Sequence, residues 1–252
     1  MRRQRTQTRP VFYPDRLAMI LGAGHERLAA MESDAESVDL LTWNIFASLA
    51  THADQDWLAY RLQALGGTAV RAPLRISLWT GRDREPFLRP SPEYTTAIKQ
   101  RSAAAGHADD ALSAFEQAID LPVRVESPDT LLLVDPIGTQ YRRGGGGRDR
   151  LLELIDAGLT HARRLSRALT IAVVYPSGTP AAGDLSARIN ELRDPATLRA
   201  ELAHRRTIPP LALRELSWQR LIHLWDAERE HLDLSGQPVK AFLAHLEGRG
   251  LR

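Results

Sequence analysis

The chain has 252 residues, 43% of them hydrophobic and 25% charged, with a formal net charge of +2. That balance suits a soluble α/β protein with one substantial core, or one domain and a helical extension. There is no cysteine, which excludes disulfides, thiolate zinc sites, cysteine-held iron–sulfur clusters and cysteine nucleophiles.

Residues 1–10 carry four arginines and lack the apolar core of a secretory signal. No apolar run approaches the roughly 20 residues that span a bilayer. The expected location is therefore cytoplasmic, with no membrane partner. A short helix is expected within Val11–Ala30, interrupted at Gly22 and Gly24. Gly22-Ala23-Gly24 follows no clear strand and has no third glycine at the dinucleotide-binding spacing. Ser33 and Glu36 have the spacing of a capping box, and Val38, Leu41, Ile45 and Leu49 then recur at helical intervals. Asp54 is a good N-cap for a second helix through Trp57, Leu58, Leu62 and Leu65, ending at Gly66-Gly67.

Arg75–Trp79 alternates as a strand does, a proline-rich loop runs from Arg82 to Pro92, and residues 93–119 read as polar helix. Leu121–Glu126 and Thr130–Val134 form two apolar strands around the turn Ser127-Pro128-Asp129, a predicted hairpin. Gln140–Arg148 is a glycine-rich basic loop without the Gly-Lys-Ser/Thr ending of a phosphate-cradling loop. Leu151, Leu152, Ile155, Leu159, Ala162 and Leu165 define an amphipathic helix, and Leu169–Tyr175 a strand buried on both faces. The remainder reads as helical, with caps at Asp194-Pro195 and Ser217 and a last helix opened by Pro238. In outline, residues 1–32 are an N-terminal arm and short helix, 33–180 the α/β core, and 181–252 a helical C-terminal extension.

Four segments in this order are similar to the PD-(D/E)XK nuclease superfamily, of the bacterial type with a Leu-Thr-Trp-Asn helix. They are Asp39–Phe46, Ser127–Val134, Arg148–Leu152 with its helix, and Leu216–Gln219. The resemblance implies a mixed sheet flanked by helices. It also implies an aspartate on the second core strand, a glutamate on the third and a lysine two residues later, arranged for Mg²⁺-dependent hydrolysis. Aligned through Ser127-Pro128, those positions hold Pro122, Asp135 and Ile137, so one carboxylate remains and the lysine is gone. A helix position often occupied by glutamine holds Arg150, and the chain's two lysines, Lys99 and Lys240, lie away from the hairpin. Pro122 and Pro136 would each remove a ladder donor.

The resemblance therefore implies a catalytically degenerate domain without a cofactor. It would act as a structural or nucleic-acid-associated subunit of a prokaryotic DNA-processing or defence assembly. The expected partners are another protein or a second copy of the chain, and DNA through phosphate contacts from Arg142, Arg143, Arg148 and Arg150. One alternative is a Mg²⁺-dependent nuclease whose ligands have moved to Asp120 and Glu126, which share the strand parity of Pro122, together with Asp135; another is a protein-interaction module without DNA contact. His223, Asp226, Glu230 and His231 lack the His-Glu-x-x-His pattern and read as helix surface. Trp43, Trp57, Trp218 and Trp225 read as core or core-edge residues rather than a base-stacking platform.

Overall fold

A computed structural model of the chain describes residues 10–22, 31, 37–67, 70–80, 87–104, 106, 118–137 and 149–252. Two compact units are present, one of Met1–Ala53 with Ser217–Arg252 and one of Asp54–Leu216.

The first unit is helical among its described residues: α1 (Pro14–Leu21), α2 (Val38–Ala50), and two late helices, Trp218–Ala227 and Gln237–Gly248. Proline at the start and Gly22 at φ 91° after the end bound α1. The Ser33–Glu36 box lies outside the described residues; the described helix begins at Val38, and the Ser37 hydroxyl accepts the Leu40 N–H at 3.2 Å. Every residue from Leu40 to Leu49 is buried, so α2 is covered on all sides rather than amphipathic.

This explains the Trp-Asn pair. Trp43 donates its indole N–H to the Phe12 carbonyl, while Asn44 accepts the Phe12 N–H at 2.9 Å and donates to the Pro10 carbonyl at 2.6 Å. A buried helix with two such groups satisfies backbone polar atoms of Pro10 and Phe12 in the irregular segment laid against it. Phe12, Trp225 and Phe242 pack ring on ring with centroids 5.4–6.0 Å apart. The Trp225 indole donates to the Ser48 hydroxyl at 3.0 Å. Trp43, Trp218 and Trp225 are thus core residues, and Trp57 is half-buried.

The second unit is α/β, with a five-stranded mixed sheet flanked by helices. Its elements are α3 (Gln55–Gly66), β1 (Arg75–Thr80), α4 (Pro92–Ala104), β2 (Leu121–Glu126), β3 (Thr130–Pro136), α5 (Arg150–Leu165), β4 (Ala168–Tyr175), α6 (Pro180–Arg193), α7 (Pro195–Glu201) and β5 (Leu211–Ser217). In chain order the two late helices of the first unit become α8 (Trp218–Ala227) and α9 (Gln237–Gly248). Strands lie side by side in sequence order. β1, β2 and β3 form an antiparallel meander, and α5 carries the chain back so that β4 runs parallel to β3. The predicted turn closes the hairpin, with the Ser127 N–H on the Thr130 carbonyl at 2.9 Å and the Thr130 N–H on the Ser127 hydroxyl at 3.1 Å.

Helix α5 lies on the sheet face that bears Leu131, Leu133, Leu169 and Ile171. It approaches closely at Gly158, where an added Cβ would stand 2.9 Å from a Leu169 methyl and 3.0 Å from a Leu133 methyl. Pro122 and Pro136 are the second residue of β2 and the last of β3, so both fall at strand ends, where a lost ladder donor is least costly. Leu211–Ser217 corrects the expectation of an all-helical C-terminal part. It is a strand hydrogen-bonded beside β4, with Leu213 and Leu216 buried and Arg214 exposed.

Candidate functional site

The β2–β3 register pairs Val123 with Val134 and Arg124 with Leu133, and its continuation sets Pro122 across from Asp135. Cross-strand partners share a face, so Pro122 and Asp135 both project toward α5. Ile137, two residues past Asp135, has the same parity and is half-buried against the core. These three positions therefore form one patch at the end of the sheet away from the hairpin turn.

Asp135 is 2% exposed, and Arg150 opens α5 beside it. The Arg150 guanidinium donates through Nε to Oδ2 at 3.0 Å and through Nη2 to Oδ1 at 2.7 Å, a two-pronged fork on one carboxylate. Its Nη2 also donates to the Asp120 carbonyl at 3.0 Å. A cation in the first turn of a helix opposes the helix dipole, so this placement depends on the carboxylate. The Asp135 charge pushes the Arg150 pKa above its ordinary value, outweighing burial. Asp149 caps the same helix through the Leu152 N–H at 3.1 Å.

Glu126 is not part of this patch. It pairs across the ladder with Leu131, four residues before Asp135, which is a separation of about 13 Å along the strand. Oxygen ligands stand only about 2.0–2.6 Å from Mg²⁺ or Ca²⁺, so Glu126 and Asp135 cannot share one ion. Glu126 instead accepts from Arg124 at 2.9 Å and Arg167 at 2.5 Å. Burial alone would raise its pKa; the Arg167 hydrogen bond and the Arg124 charge overcome that and hold it below the ordinary value. Of the three candidate ligands, Asp135 meets Arg150 through its carboxylate and Asp120 through its backbone carbonyl. Among the described residues no group of three or more His, Asp or Glu side chains is arranged to hold a metal ion. Arg142, Arg143 and Arg148 lie outside the described residues.

A second polar centre escaped the sequence reading. Asp149, Glu153 and Asp156 recur at helical spacing along α5 and are all buried. Asp156, fully buried, accepts the Ser91 N–H at 2.5 Å, the Ser91 hydroxyl at 3.2 Å and Arg205 Nε at 2.6 Å, with His204 Nε2 at 2.8 Å. Burial pushes this carboxyl up, and the Arg205, Ser91 and His204 hydrogen bonds more than reverse it. Arg188 joins Asp149, Glu191 and Glu201 at 2.7–2.8 Å.

Serine, histidine and aspartate meet here, yet Ser91 bonds the carboxylate itself and the Tyr94 N–H. A nucleophilic relay needs the serine on the imidazole. This is a structural anchor tying α4 and the segment after α7 to α5. The signal for it was the 149/153/156 spacing among the apolar positions in the first half of an amphipathic helix; the partners Arg188, His204 and Arg205 lie 39 to 49 residues away. His223, Asp226, Glu230 and His231 do not converge as ligands; Asp226 pairs with Arg229 and with Arg252.

Comparison of the chain with models of protein families, with curated proteins and with solved structures returns no match.

Proposed function

We propose that this chain is a catalytically inactive PD-(D/E)XK-like domain, serving as a structural or nucleic-acid-associated subunit of a larger prokaryotic DNA-processing or defence assembly. The observation that carries the reading is the fork of Arg150 on Asp135. Metal-assisted hydrolysis needs carboxylates free to hold a cation and a group that can activate water. Here the one carboxylate at the motif positions is neutralised by a guanidinium, which neither accepts a proton at neutral pH nor coordinates hydroxide.

Two further features support it. Helix, antiparallel strands, helix and parallel strand occur in the order on which the resemblance rests. Pro122 and Asp135 are cross-strand neighbours by register, the adjacency that a pair of metal-binding carboxylates requires. On this reading the positions of a site remain without its chemistry, and the assembly role rests on the resemblance alone. Incubation of the purified protein with DNA and RNA in Mg²⁺ or Mn²⁺ should give no cleavage. A variant combining Pro122→Asp, Asp135→Glu, Ile137→Lys and Arg150→Gln should bind Mn²⁺ in a calorimetric titration where the parent does not. Mn²⁺ binding by the parent that Asp135→Ala removes would overturn the reading.

A further inference from the structure

At the hairpin-turn end of the sheet, opposite Asp135, five arginines from separate parts of the chain converge. Arg75 opens β1 and pairs across the ladder with Glu126; Arg124 and Arg167 share the Glu126 carboxylate. Arg71 is ion-paired with Asp129, whose carbonyl accepts the Ala168 N–H at 2.7 Å beside Arg167. Arg164, in the last turn of α5, acts electrostatically together with Arg124 and Arg167 on His161. Among the described residues neither Arg75 nor Arg164 has an ion-pair partner, and both are exposed. Five guanidiniums against the two carboxylates Glu126 and Asp129 leave three positive charges unmatched, more than the +2 of the whole chain.

His161 does not add to that charge. Its Nε2 lies 2.6 Å from Arg124 Nη2, and burial together with the Arg124 charge lowers its pKa to about 4. The neutral ring accepts from Arg124 and steadies a guanidinium that is 3% exposed; the Nε of that guanidinium is buried with no hydrogen-bond partner. A cation in the last turn of a helix suits its dipole, which accounts for Arg164 but not for Arg71 or Arg75. Like charges gathered on one edge repel, and an anion laid across them relieves the repulsion.

We propose that this cluster is a binding surface for the phosphate backbone of a nucleic acid. Guanidinium forks match phosphate oxygens in pairs. From β1 to β4 is three strand spacings, about 14 Å, which matches the axial rise of roughly four steps, or about five successive phosphates, of one duplex strand at about 3.4 Å per step. Arg71, Arg75 and Arg164 are exposed, the Arg71 side chain to 70%, and they flank the part-buried Arg167 and the buried Arg124, an open row of three guanidiniums over two inner ones and not a closed cradle for a single small anion. The proposal deepens the nucleic-acid association suggested above. It assigns that association to residues unrelated to the motif positions.

The test is fluorescence anisotropy of a labelled DNA duplex of about 20 base pairs, titrated between about 50 and 200 mM salt. Three neutralised phosphates predict a slope of log K against log salt near −2.7, which is about a 40-fold loss across that range. Arg75→Ala should lessen the slope by about 0.9, and Arg75→Glu with Arg164→Glu should abolish binding. Arg199→Glu with Arg206→Glu makes the same charge change at exposed positions elsewhere in this unit and should leave most of the affinity. An unchanged isotherm for the Arg75/Arg164 variant, or an equal loss in the control, overturns the assignment. Polyglutamate bound as tightly as the duplex and through the same two arginines would also overturn it, in favour of an acidic protein partner. Gel analysis of the same samples keeps the two proposals apart: intact, unbound DNA refutes this surface alone, and cleaved DNA refutes the inactive-domain reading alone.

Discussion

Arg150→Ala removes the guanidinium from a carboxylate that is 2% exposed. Breaking a buried ion pair by deleting one partner costs about 3–5 kcal/mol, because the remaining charge is left without compensation. The Arg150 side chain is 41% exposed, so water enters the space it vacates and the cost falls to about 2–3 kcal/mol. For a domain of this size each kcal/mol moves the midpoint by roughly 2–4 °C, giving a drop of about 4–12 °C. Urea unfolding followed by circular dichroism should show a lower midpoint at an unchanged slope. Adding Asp135→Leu to an Arg150→Met background should recover stability to within about 1 kcal/mol of the parent, since an apolar pair of similar volume replaces a buried ion pair at little cost. A loss below about 0.5 kcal/mol for Arg150→Ala, or a double variant no better than the single one, would refute the claim that Arg150 neutralises this site.

Asp156→Ala should be more damaging, about 3–5 kcal/mol, because it strands Arg205, His204 and the Ser91 N–H in the interior; a soluble variant with parental urea resistance would contradict the anchor role. The pH dependence has two limbs. The folded pKa of His161 is about 4 and its unfolded value about 6.5, so between these the unfolded chain binds the proton and the folded chain does not. Stability then rises with pH across that window and levels off above it. His161→Gln should flatten the rise in urea midpoints, and an unaltered slope would refute the assignment. Asp156 and Glu126 are held below the ordinary carboxylate range. Their contribution is present above the unfolded value, near 4, and is lost as pH falls through the lower folded values.

Local chemistry made much of the second unit's fold legible. Ser127-Pro128-Asp129 specifies its turn, Asp54 and Gly67 bound α3, and the 3.6-residue rhythm of α5 is unbroken from Leu151 to Ala162. β5 was not legible, because Leu211-Ala-Leu-Arg-Glu-Leu consists of good helix formers and is a strand only by pairing beside β4. The candidate site divided in the same way. Asp135 and Arg150 both stood out as residues, yet their fork requires α5 to begin at the end of β3, a tertiary fact. The arginines of the turn-end cluster run from 71 to 167 in sequence, and nothing local in any one of them reveals the others. Glu126 is eligible by strand parity alone, and the register sets it about 13 Å from Asp135.

The most direct measurement of the central claim is cleavage of linear and supercoiled DNA and of RNA by the purified chain in Mg²⁺ or Mn²⁺, beside an Asp135→Ala variant. The account predicts no product from either protein beyond the protein-free control. Metal-dependent product from the parent that disappears in Asp135→Ala would contradict it and make Asp135 a working ligand.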